Sequence, residues 1–378
     1  MINDPNTHLI VSISDIHFGA IDALYMYNNL KTQFIQRIIP LDFDILAICG
    51  DIFEAKYMSN NPIISYSLSF IDDVVKLCRA KNATLIIIDG TQSHDSGQLK
   101  LFYHYLSDPT VDVRIVEEIK FEMVKGMRVL CIPEKYGMLE ETYCKFLFES
   151  GAYDLCMLHG TFRGSFHGSE IATLNSTKAP IFSLASFCNC MGPILMGHYH
   201  IAGCYESYAY YHGSTFRYKF GEEMKKGFLV TLYNQITRWH CTQLIEVKSH
   251  SYITLNINDI IYRDPKEIIE YIKSYKVNHG IDFIRIQYNY NDALKPMMDV
   301  VKSYFRTISD VTIQELKDSS IEQSNSTVDN TPPDSEYPFI LDNGYDEMTK
   351  FVMYVNQNEG CDFITVDKLI SILEDKIS

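Results

Sequence analysis

The sequence contains no apolar run of the roughly 18 residues that a membrane span needs, although 46% of its 378 residues are hydrophobic. Its first residues, MINDPNTHLIVSISD, lack the basic start and the long apolar run of a signal peptide, so none is expected. The absences predict a chain that does not enter a membrane. The apolar content suffices for the core of one large domain and one or two smaller ones.

Basic residues are scarce as well. The chain has 33 Lys and Arg against 48 Asp and Glu, which gives a formal net charge of −15. A protein that merely coats nucleic acid is normally basic, so the charge argues against a passive DNA-binding protein. It does not exclude an enzyme that grips phosphate through bound cations, because metal ions reverse the local field.

The ten cysteines do not form the pattern of a metal site. Cys49, Cys131, Cys156 and Cys204 lie within or beside apolar runs, which is typical of reduced, buried thiols. The CNC at 188–190 is the one close pair, and no further ligand follows nearby at a suitable spacing. A reducing, cytoplasmic setting is therefore expected.

Short apolar runs alternate with amphipathic stretches over the first 200 residues. The predicted buried strands are 8–19, 44–53, 84–90, 127–133, 154–160 and 193–200. Helical spacing of apolar residues is clearest at 22–39, 63–81 and 97–107. The alternation predicts an α/β layered fold, in which the later strands need not all be parallel.

The pattern changes after about residue 245. Strands at 252–259 and 281–290 alternate with helices at 264–277 and 294–307, which predicts a small α+β unit. Asp264 is the expected N-cap of the first of these helices, and Pro265 is its first residue.

An acidic segment follows this unit. Residues 318–349 contain eight acidic residues and no Lys or Arg, and the stretch DSSIEQSNSTVDNTPPDSEYP has the composition of a disordered linker. Beyond it, DEMTKFVMYV and TVDKLISILEDKI predict two short amphipathic helices. Two such helices cannot form a core alone, so they need a surface on which to dock.

Five of the six predicted strands in the first part end in residues that commonly bind metals. These are Asp15 with His17, Asp51 after Gly50, His94 with Asp95, His159, and His198 with His200. Catalytic groups in α/β folds gather beyond the carboxyl ends of strands, so we expect these side chains to converge. Two Asp and several His suit two divalent cations with mixed nitrogen and oxygen ligands.

The order D-x-H, G-D, H-D, H-G and G-H-x-H resembles the calcineurin-like metallophosphoesterases. GDIFEAKY at 50–57 and HGSTFRYKFGEEMKKGFLVTLY at 212–233 resemble segments of the SbcD-type branch of DNA-repair nucleases. The resemblance covers essentially the whole chain, and it is most specific over 9–233. The length and composition further suggest a phage-encoded member, which would work in the host cytoplasm.

The resemblance implies a two-sheet sandwich flanked by helices, with a capping domain and a C-terminal helical pair. It implies a nuclease domain at 1–246, a DNA-positioning capping domain at 247–317, an acidic flexible linker at 318–342 and a partner-binding helix pair at 343–378.

The resemblance also implies the ligand set. Asp15, His17 and His200 would hold one metal, Asp51 would bridge both, and His159 and His198 would hold the second. His94 would act at the leaving oxygen, with Asp95 orienting its ring. Family resemblance favours Mn²⁺, although the ligands themselves do not distinguish it from iron or zinc.

The third motif departs from the family. Related enzymes carry G-N-H-D, whose Asn binds the second metal, whereas this chain reads Gly90-Thr91-Gln92-Ser93-His94-Asp95. The amide oxygen of Gln92 is the preferred replacement. Ser93 is the alternative, and a third possibility is that neither residue contacts the metal and a water completes the shell.

Glu54 is a second departure, because some nucleases of this branch carry His there. A carboxylate near the scissile phosphate would repel it unless a metal or a base neutralises the charge. His167 and His212 lie in loops near the motifs, and both are interpreted as structural residues.

Three functions remain open. The first is a two-metal DNA exo- and endonuclease subunit, forming a homodimer that binds an SbcC-like coiled-coil ATPase through the C-terminal helices. The second is a phosphoesterase on a small or protein substrate, and the third is a scaffold subunit that has lost catalysis. The capping domain and the helical pair favour the first function, since a small-molecule enzyme needs neither.

Overall fold

A computed structural model describes residues 4–95, 97–138, 140–148, 150–163, 181–222, 224–257, 264–289 and 294–316. These residues divide into two compact units. Unit 1 is the described part of Met1–Thr215 together with Lys225–Lys248, and unit 2 is the described part of Phe216–Met224 and Ser249–Asp334. The predicted linker at 318–342 and helix pair at 343–378 lie outside the described residues.

The strands carry the labels used below. In chain order they are β1 (Thr7–Ile13), β2 (Ile45–Cys49), β3 (Thr84–Ile88), β4 (Asp112–Val116), β5 (Lys120–Val124), β6 (Met127–Ile132), β7 (Leu155–His159), β8 (Thr161–Phe162), β9 (Ile181–Phe182), β10 (Ile194–Gly197), β11 (Gly203–Tyr205), β12 (Ala209–Tyr211), β13 (Gly227–Asn234), β14 (His240–Glu246), β15 (Tyr252–Asn256), β16 (Phe283–Asn289) and β17 (Val311–Leu316). All six strands predicted in the first part of the chain are present.

The α-helices are α1 (Ala23–Asn29), α2 (Gln36–Ile38), α3 (Pro62–Lys81), α4 (Glu140–Leu147), α5 (Pro265–His279) and α6 (Leu294–Phe305). The helix predicted at 22–39 is interrupted, because a π-helical stretch at Leu30–Ile35 separates α1 from α2. The helix predicted at 97–107 is a 3₁₀ helix over Leu99–Ser107, and a second one spans Leu184–Phe187.

Two six-stranded mixed sheets form the body of unit 1 within the described residues, and β8 pairs with β9 in a separate two-stranded parallel sheet. The first has the order β14-β13-β1-β2-β3-β4, and the second has the order β11-β12-β10-β7-β6-β5. Strands β1 to β4 run parallel, and so do β6, β7, β10 and β12. The fold of this unit is therefore α/β, as predicted, with antiparallel strands added at the sheet edges.

The main core lies between the two sheets. Ile45, Ala47 and Ile86 of the first sheet share one buried apolar cluster with Cys131 and Met157 of the second. Alternate residues of the central strands are buried on the other face too, as expected for strands covered on both sides. Helix α3 packs against β3 and β4 on the outer face of the first sheet.

Unit 2 is a small α/β layer and not the predicted α+β unit, because its three strands are parallel and alternate with helices along the chain. Strands β15, β16 and β17 form a parallel sheet, and α5 and α6 connect them. The side chain of Asp264 accepts a hydrogen bond from the amide of Lys266, and Pro265 opens α5, so the predicted N-cap is confirmed. Ile268, Ile272 and Ile284 lie in the apolar core of the unit.

None of the described helices combines the length and the apolar character required to cross a membrane. The eight cysteines with described contacts are free thiols, and Cys49, Cys131 and Cys156 are buried. Burial raises the pKa of the Cys131 thiol to about 12, which keeps it protonated. Cys204 is only partly buried.

Candidate metal centre

The six predicted ligands converge in unit 1. They follow β1, β2, β7 and β10, which are parallel strands of the two sheets, and their side chains meet beyond the carboxyl ends. The convergence predicted from the strand-end pattern is therefore present in the fold. The ligand atoms of the set fall into two overlapping groups, Asp15 with His17 and His200, and Asp51 with Asp15 and His159.

Four of the six residues have an unusual backbone. Asp15, His17, Asp51 and His198 have φ values of 50°, 52°, 52° and 99°, in the left-handed region that non-glycine residues rarely adopt. The carbonyl of Asp51 accepts hydrogen bonds from the amides of Ile16 and His17, which holds the first two turns together. Strained backbone of this kind concentrates at functional sites, where the surrounding structure maintains it.

Gly50 and Gly197 allow the backbone to approach the side chains of His159 and Ser14 closely. Gly50 has a φ of 89°, and a Cβ there would lie 2.2 Å from Nδ1 of His159. A Cβ on Gly197 would lie 1.9 Å from Oγ of Ser14. Any side chain at either position would displace a ligand or its support, so the Gly-Asp and Gly-His pairs of the sequence have a steric reason.

The first cluster contains Asp15, His17 and His200. Nε2 of His17 lies 3.0 Å from Nε2 of His200, and each lies within 4 Å of Oδ1 of Asp15, at 3.9 and 3.8 Å. Asp15 and His17 are almost completely buried. Three ligand atoms thus point at one small volume.

Glu54 holds His17 in place. Oε2 of Glu54 lies 2.9 Å from Nδ1 of His17, so the ring presents Nε2 to the cluster. This pairing lowers the pKa of Glu54. Burial opposes a charge on His17, but Glu54, Asp51 and Asp15 together raise its pKa. His17 is therefore the basic residue that offsets the negative charge of Glu54.

The second cluster contains Asp51, His159 and His198. Nδ1 of His159 donates to the carbonyl of Cys49 at 2.7 Å, which leaves Nε2 as the nitrogen that faces Asp51. Burial opposes a charge on this ring, but Asp51, Asp15 and Glu134 raise its pKa. That Nε2 lies 3.3 Å from Oδ2 of Asp51. The amide of His198 donates to both oxygens of Asp15 at 3.1 Å, which joins the second cluster to the first.

Asp51 lies between the two clusters. Its Oδ2 is 3.8 Å from Nε2 of His17 and 3.3 Å from Nε2 of His159, which is the placement expected of a shared ligand. Burial disfavours ionisation of this carboxyl, but the adjacent His159 and His17 outweigh burial and lower its pKa. The group is therefore a carboxylate at neutral pH.

Thr91, and not Gln92 or Ser93, stands nearest to the second cluster. Gln92 and Ser93 are both exposed. Oγ1 of Thr91 lies 3.1 Å from Oδ2 of Asp51, 3.3 Å from Nε2 of His159 and 3.4 Å from Nδ1 of His198. The sequence offered no reason to prefer Thr91. The loop is two residues longer than G-N-H-D, so the sequence does not show which of Thr91, Gln92 and Ser93 turns toward the cluster.

Glu134 was missed altogether. It follows β6, the one predicted strand of the first part that was not assigned a polar end, and only 3% of its surface is exposed. Its Oε2 lies 2.9 Å from Nδ1 of His198 and 4.0 Å from Nε2 of His159. The signal was present in the sequence, since IPE at 132–134 is another strand followed by a carboxylate.

His94 lies beside the first cluster and is half-buried. Its ring centroid is 4.9 Å from that of His17, and its Nδ1 donates a hydrogen bond to the carbonyl of Glu54. This bond leaves Nε2 as the atom that can exchange a proton with a substrate.

The role predicted for Asp95 is wrong. Its carboxylate accepts hydrogen bonds from the amides of Ile52, Phe53 and Gly90 at 3.0 to 3.2 Å, so it braces the loops after β2 and β3. The Glu54 carbonyl, and not Asp95, orients the His94 ring. Burial and the neighbouring Asp51 raise the pKa of Asp95 to about 7, against the effect of these amides, and the three backbone donors give the group a structural role.

His212 is structural, as expected. It is fully buried, its Nδ1 donates to the carbonyl of Met196 at 2.6 Å, and its Nε2 lies 2.7 Å from Oγ of Ser12. Burial lowers its pKa to about 4. The other loop histidine, His167, lies outside the described residues.

The residues present suit divalent cations. Nε2 of His17 and Nε2 of His200 face each other at 3.0 Å, so either a proton or a cation lies between the two nitrogens. Both oxygens of Glu134 are buried without a hydrogen bond of acceptable geometry in the described structure. Carboxylate and imidazole together form the ligand set of Mn²⁺, Fe²⁺ and Zn²⁺ sites.

No family model and no curated protein matches the chain. Thirty-eight chains of known structure match it. One of them, a crystal structure, has a TM-score of 0.39 and 14% sequence identity, over 64% of this chain and 100% of its own. A similarity at this level gives no information about function.

Proposed function

We propose that the chain is a two-metal-dependent phosphodiesterase of the calcineurin-like type and that it acts as a DNA nuclease. The observation that carries the proposal is the position of Asp51, whose Oδ2 lies 3.8 Å from a ligand nitrogen of one cluster and 3.3 Å from one of the other. Two cation sites that share a carboxylate are the arrangement used to hydrolyse phosphate esters.

Bound cations would supply an activated water and would neutralise charge on the phosphate. The residues of the chain supply the rest. Asp51 remains ionised between the clusters, and the side chains of His198 and His200 are 23% and 28% exposed, so a phosphate can approach them from solvent.

His94 would serve as the general acid. Its Nδ1–H is held by the Glu54 carbonyl, which is a good partner for an imidazolium because the bond strengthens when the ring is charged. Nε2 can then give its proton to the leaving oxygen. The half-buried position of the ring, at the border of the buried ligands, fits this role.

DNA is the proposed substrate because of the motif resemblance. GDIFEAKY and the segment at 212–233 resemble the SbcD-type nucleases, and unit 2 occupies the part of the chain where such enzymes carry a capping domain. Mn²⁺ is the proposed metal on the same ground. The proposal includes a homodimer that works in the cytoplasm, or in the host cytoplasm if the chain is phage-encoded.

Hydrolysis of bis(p-nitrophenyl) phosphate and of an end-labelled DNA duplex, with Mn²⁺ and with a chelator, tests the proposal. We expect Mn²⁺-dependent cleavage of both substrates. Cleavage of the small ester alone would favour a phosphoesterase on a small or protein substrate. Binding of Mn²⁺ without cleavage of either would favour a scaffold subunit.

The proposed partner is an SbcC-like coiled-coil ATPase, bound through residues 343–378. A stripe of apolar residues at helical spacing supports this, comprising Val366, Leu369, Ile370, Leu373 and Ile377. A helix with such a face docks into an apolar groove. Titration of the full chain and of a chain lacking 343–378 against the ATPase tests it, because only the full chain should bind.

A further inference from the structure

We infer that Glu134 is a ligand of the second cation, an inference that rests on the proposed two-metal function. The motif resemblance supplies no carboxylate at this place in the chain. The inference comes from the position, burial and missing partners of one side chain, and it changes the charge of the site.

Glu134 is placed by the fold in the same way as the other ligands. It follows β6, which runs parallel to β7, and β7 ends in His159. Pro133 directly precedes it and favours extended backbone at Ile132, which carries the chain straight out of the strand. The carboxylate thus arrives at the same edge of the second sheet as the imidazole of His159.

The surroundings of Glu134 do not satisfy it. Both carboxylate oxygens are buried, and neither accepts a hydrogen bond of acceptable geometry from a described residue. A buried carboxylate without donors is costly, so such groups in proteins are paired or coordinate metals. The near groups of opposite character are Nδ1 of His198 at 2.9 Å and Nε2 of His159 at 4.0 Å.

Those two nitrogens are themselves ligand atoms. Nδ1 of His159 is already engaged by the Cys49 carbonyl, so Nε2 is the atom that can coordinate. Glu134, His159 and His198 therefore present one ligand atom each, all within 4.8 Å of one another. Thr91 adds a hydroxyl 3.3 Å from the same nitrogen of His159.

A carboxylate changes the chemistry of the second site. Asp15, Asp51 and Glu134 would place three negative ligands around two divalent cations, which carry four positive charges. With a neutral amide ligand in place of Glu134, only two of the ligands would be negative. The extra oxygen anion favours hard cations such as Mn²⁺. It also strengthens the hold on the second cation, which compensates for the absence of an Asn in the third motif.

Glu134→Gln tests the inference, with Glu118→Gln as the matched control, because the Glu118 side chain is 79% exposed. Mn²⁺ binding to the full-length protein is measured by calorimetry and by metal content after gel filtration. We expect the wild type and the control to bind two Mn²⁺. Glu134→Gln should bind the second one at least about 10-fold more weakly, because even the groups that orient a metal ligand have effects of about 10- to 100-fold. Equal affinities in all three would overturn the inference.

Thermal unfolding separates a cation ligand from a simple ion pair with His198. For a ligand, Glu134→Gln should reduce the rise in Tm that Mn²⁺ causes, whether or not loss of the contact with His198 also lowers the Tm of chelator-treated protein. A lower Tm in chelator with an unchanged Mn²⁺ effect would show that Glu134 serves only to pair with His198. If the wild type bound no Mn²⁺ at all, the proposed function itself would fail.

Discussion

Nε2 of His17 and Nε2 of His200 lie 3.0 Å apart, although 183 positions separate the two residues in the chain. Glu54 engages the other nitrogen of His17, so the ring is oriented to present Nε2. In such a contact one ring donates to the other only if its Nε2 carries a proton, whereas two protonated rings would repel each other. A shared cation satisfies both nitrogens, which is why this pair anchors the account of the site.

Replacing Asp51 with Asn should lower affinity for both cations, and it should be more damaging than any other single ligand change. The reason is its position between the two clusters, because an amide keeps the shape but loses the negative charge. Metal content and turnover measure the effect, with the exposed Asp42→Asn as control. Retention of both Mn²⁺ by Asp51→Asn, with loss of both by a His17 variant, would rule out the bridging role.

Replacing His94 with Ala should abolish most turnover while both cations remain bound. Nδ1 of the ring is held by the Glu54 carbonyl, and His94 belongs to neither of the two clusters that share Asp51, although its ligand atom lies within 4.8 Å of those of His17 and Glu54. Loss of a general acid typically costs about 10²- to 10⁴-fold in rate. Metal content is measured on the same preparation, and a missing metal equivalent would show that His94 is a ligand instead.

Replacing Glu54 with Ala should lower the affinity of the first cluster for its cation by about 10-fold, because groups that orient a ligating histidine have effects of this size. The readout is Mn²⁺ affinity, which a mere loss of substrate contact would not change. Glu54→Gln should recover part of the affinity, since its amide oxygen can still accept from Nδ1 of His17. Unchanged affinity in Glu54→Ala would mean that His17 needs no such support.

His212 should make the protein less stable as the pH falls. Its pKa of about 4 in the fold lies below the usual 6.5, so between these values the unfolded chain binds the proton and the native state does not. The free energy of unfolding therefore decreases toward acid, by at most about 1.4 kcal/mol per pH unit. Denaturant unfolding of wild type and His212→Gln between pH 4 and 7 measures this.

The variant should have a flatter pH dependence over this interval, even if it is less stable overall. His104→Gln is the matched control and should keep the wild-type slope, because the His104 side chain is exposed. An identical slope in wild type and His212→Gln would refute the assignment of the acid-sensitive step to His212.

The strand ends could be predicted from the sequence, because a buried strand shows as an apolar run and a candidate ligand shows as the polar residue that follows it. A run such as DILAICGD shows an apolar strand, and the Asp51 that follows has no packing role to explain it. Every residue of β2 and β7 is buried, so both faces of these strands are covered, as their uniform apolar runs predict. The convergence then follows from parallel pairing, which places successive carboxyl ends at one edge.

The contacts that depend on loop geometry were not readable. Whether Thr91, Gln92 or Ser93 turns inward is decided by the path of a few backbone atoms after β3, and all three are polar. Asp95 next to His94 suggested a pair, but the fold directs its carboxylate to backbone amides. Side chains two or three residues apart in a loop can face opposite ways, so sequence spacing alone does not decide such cases.

Anomalous diffraction from crystals of the full-length protein grown with Mn²⁺ tests the central claim most directly. The account predicts two manganese peaks, one on each side of the Asp51 carboxylate, with His17 and His200 beside one peak and His159 and His198 beside the other. A single peak, or two peaks that do not share Asp51, would contradict it.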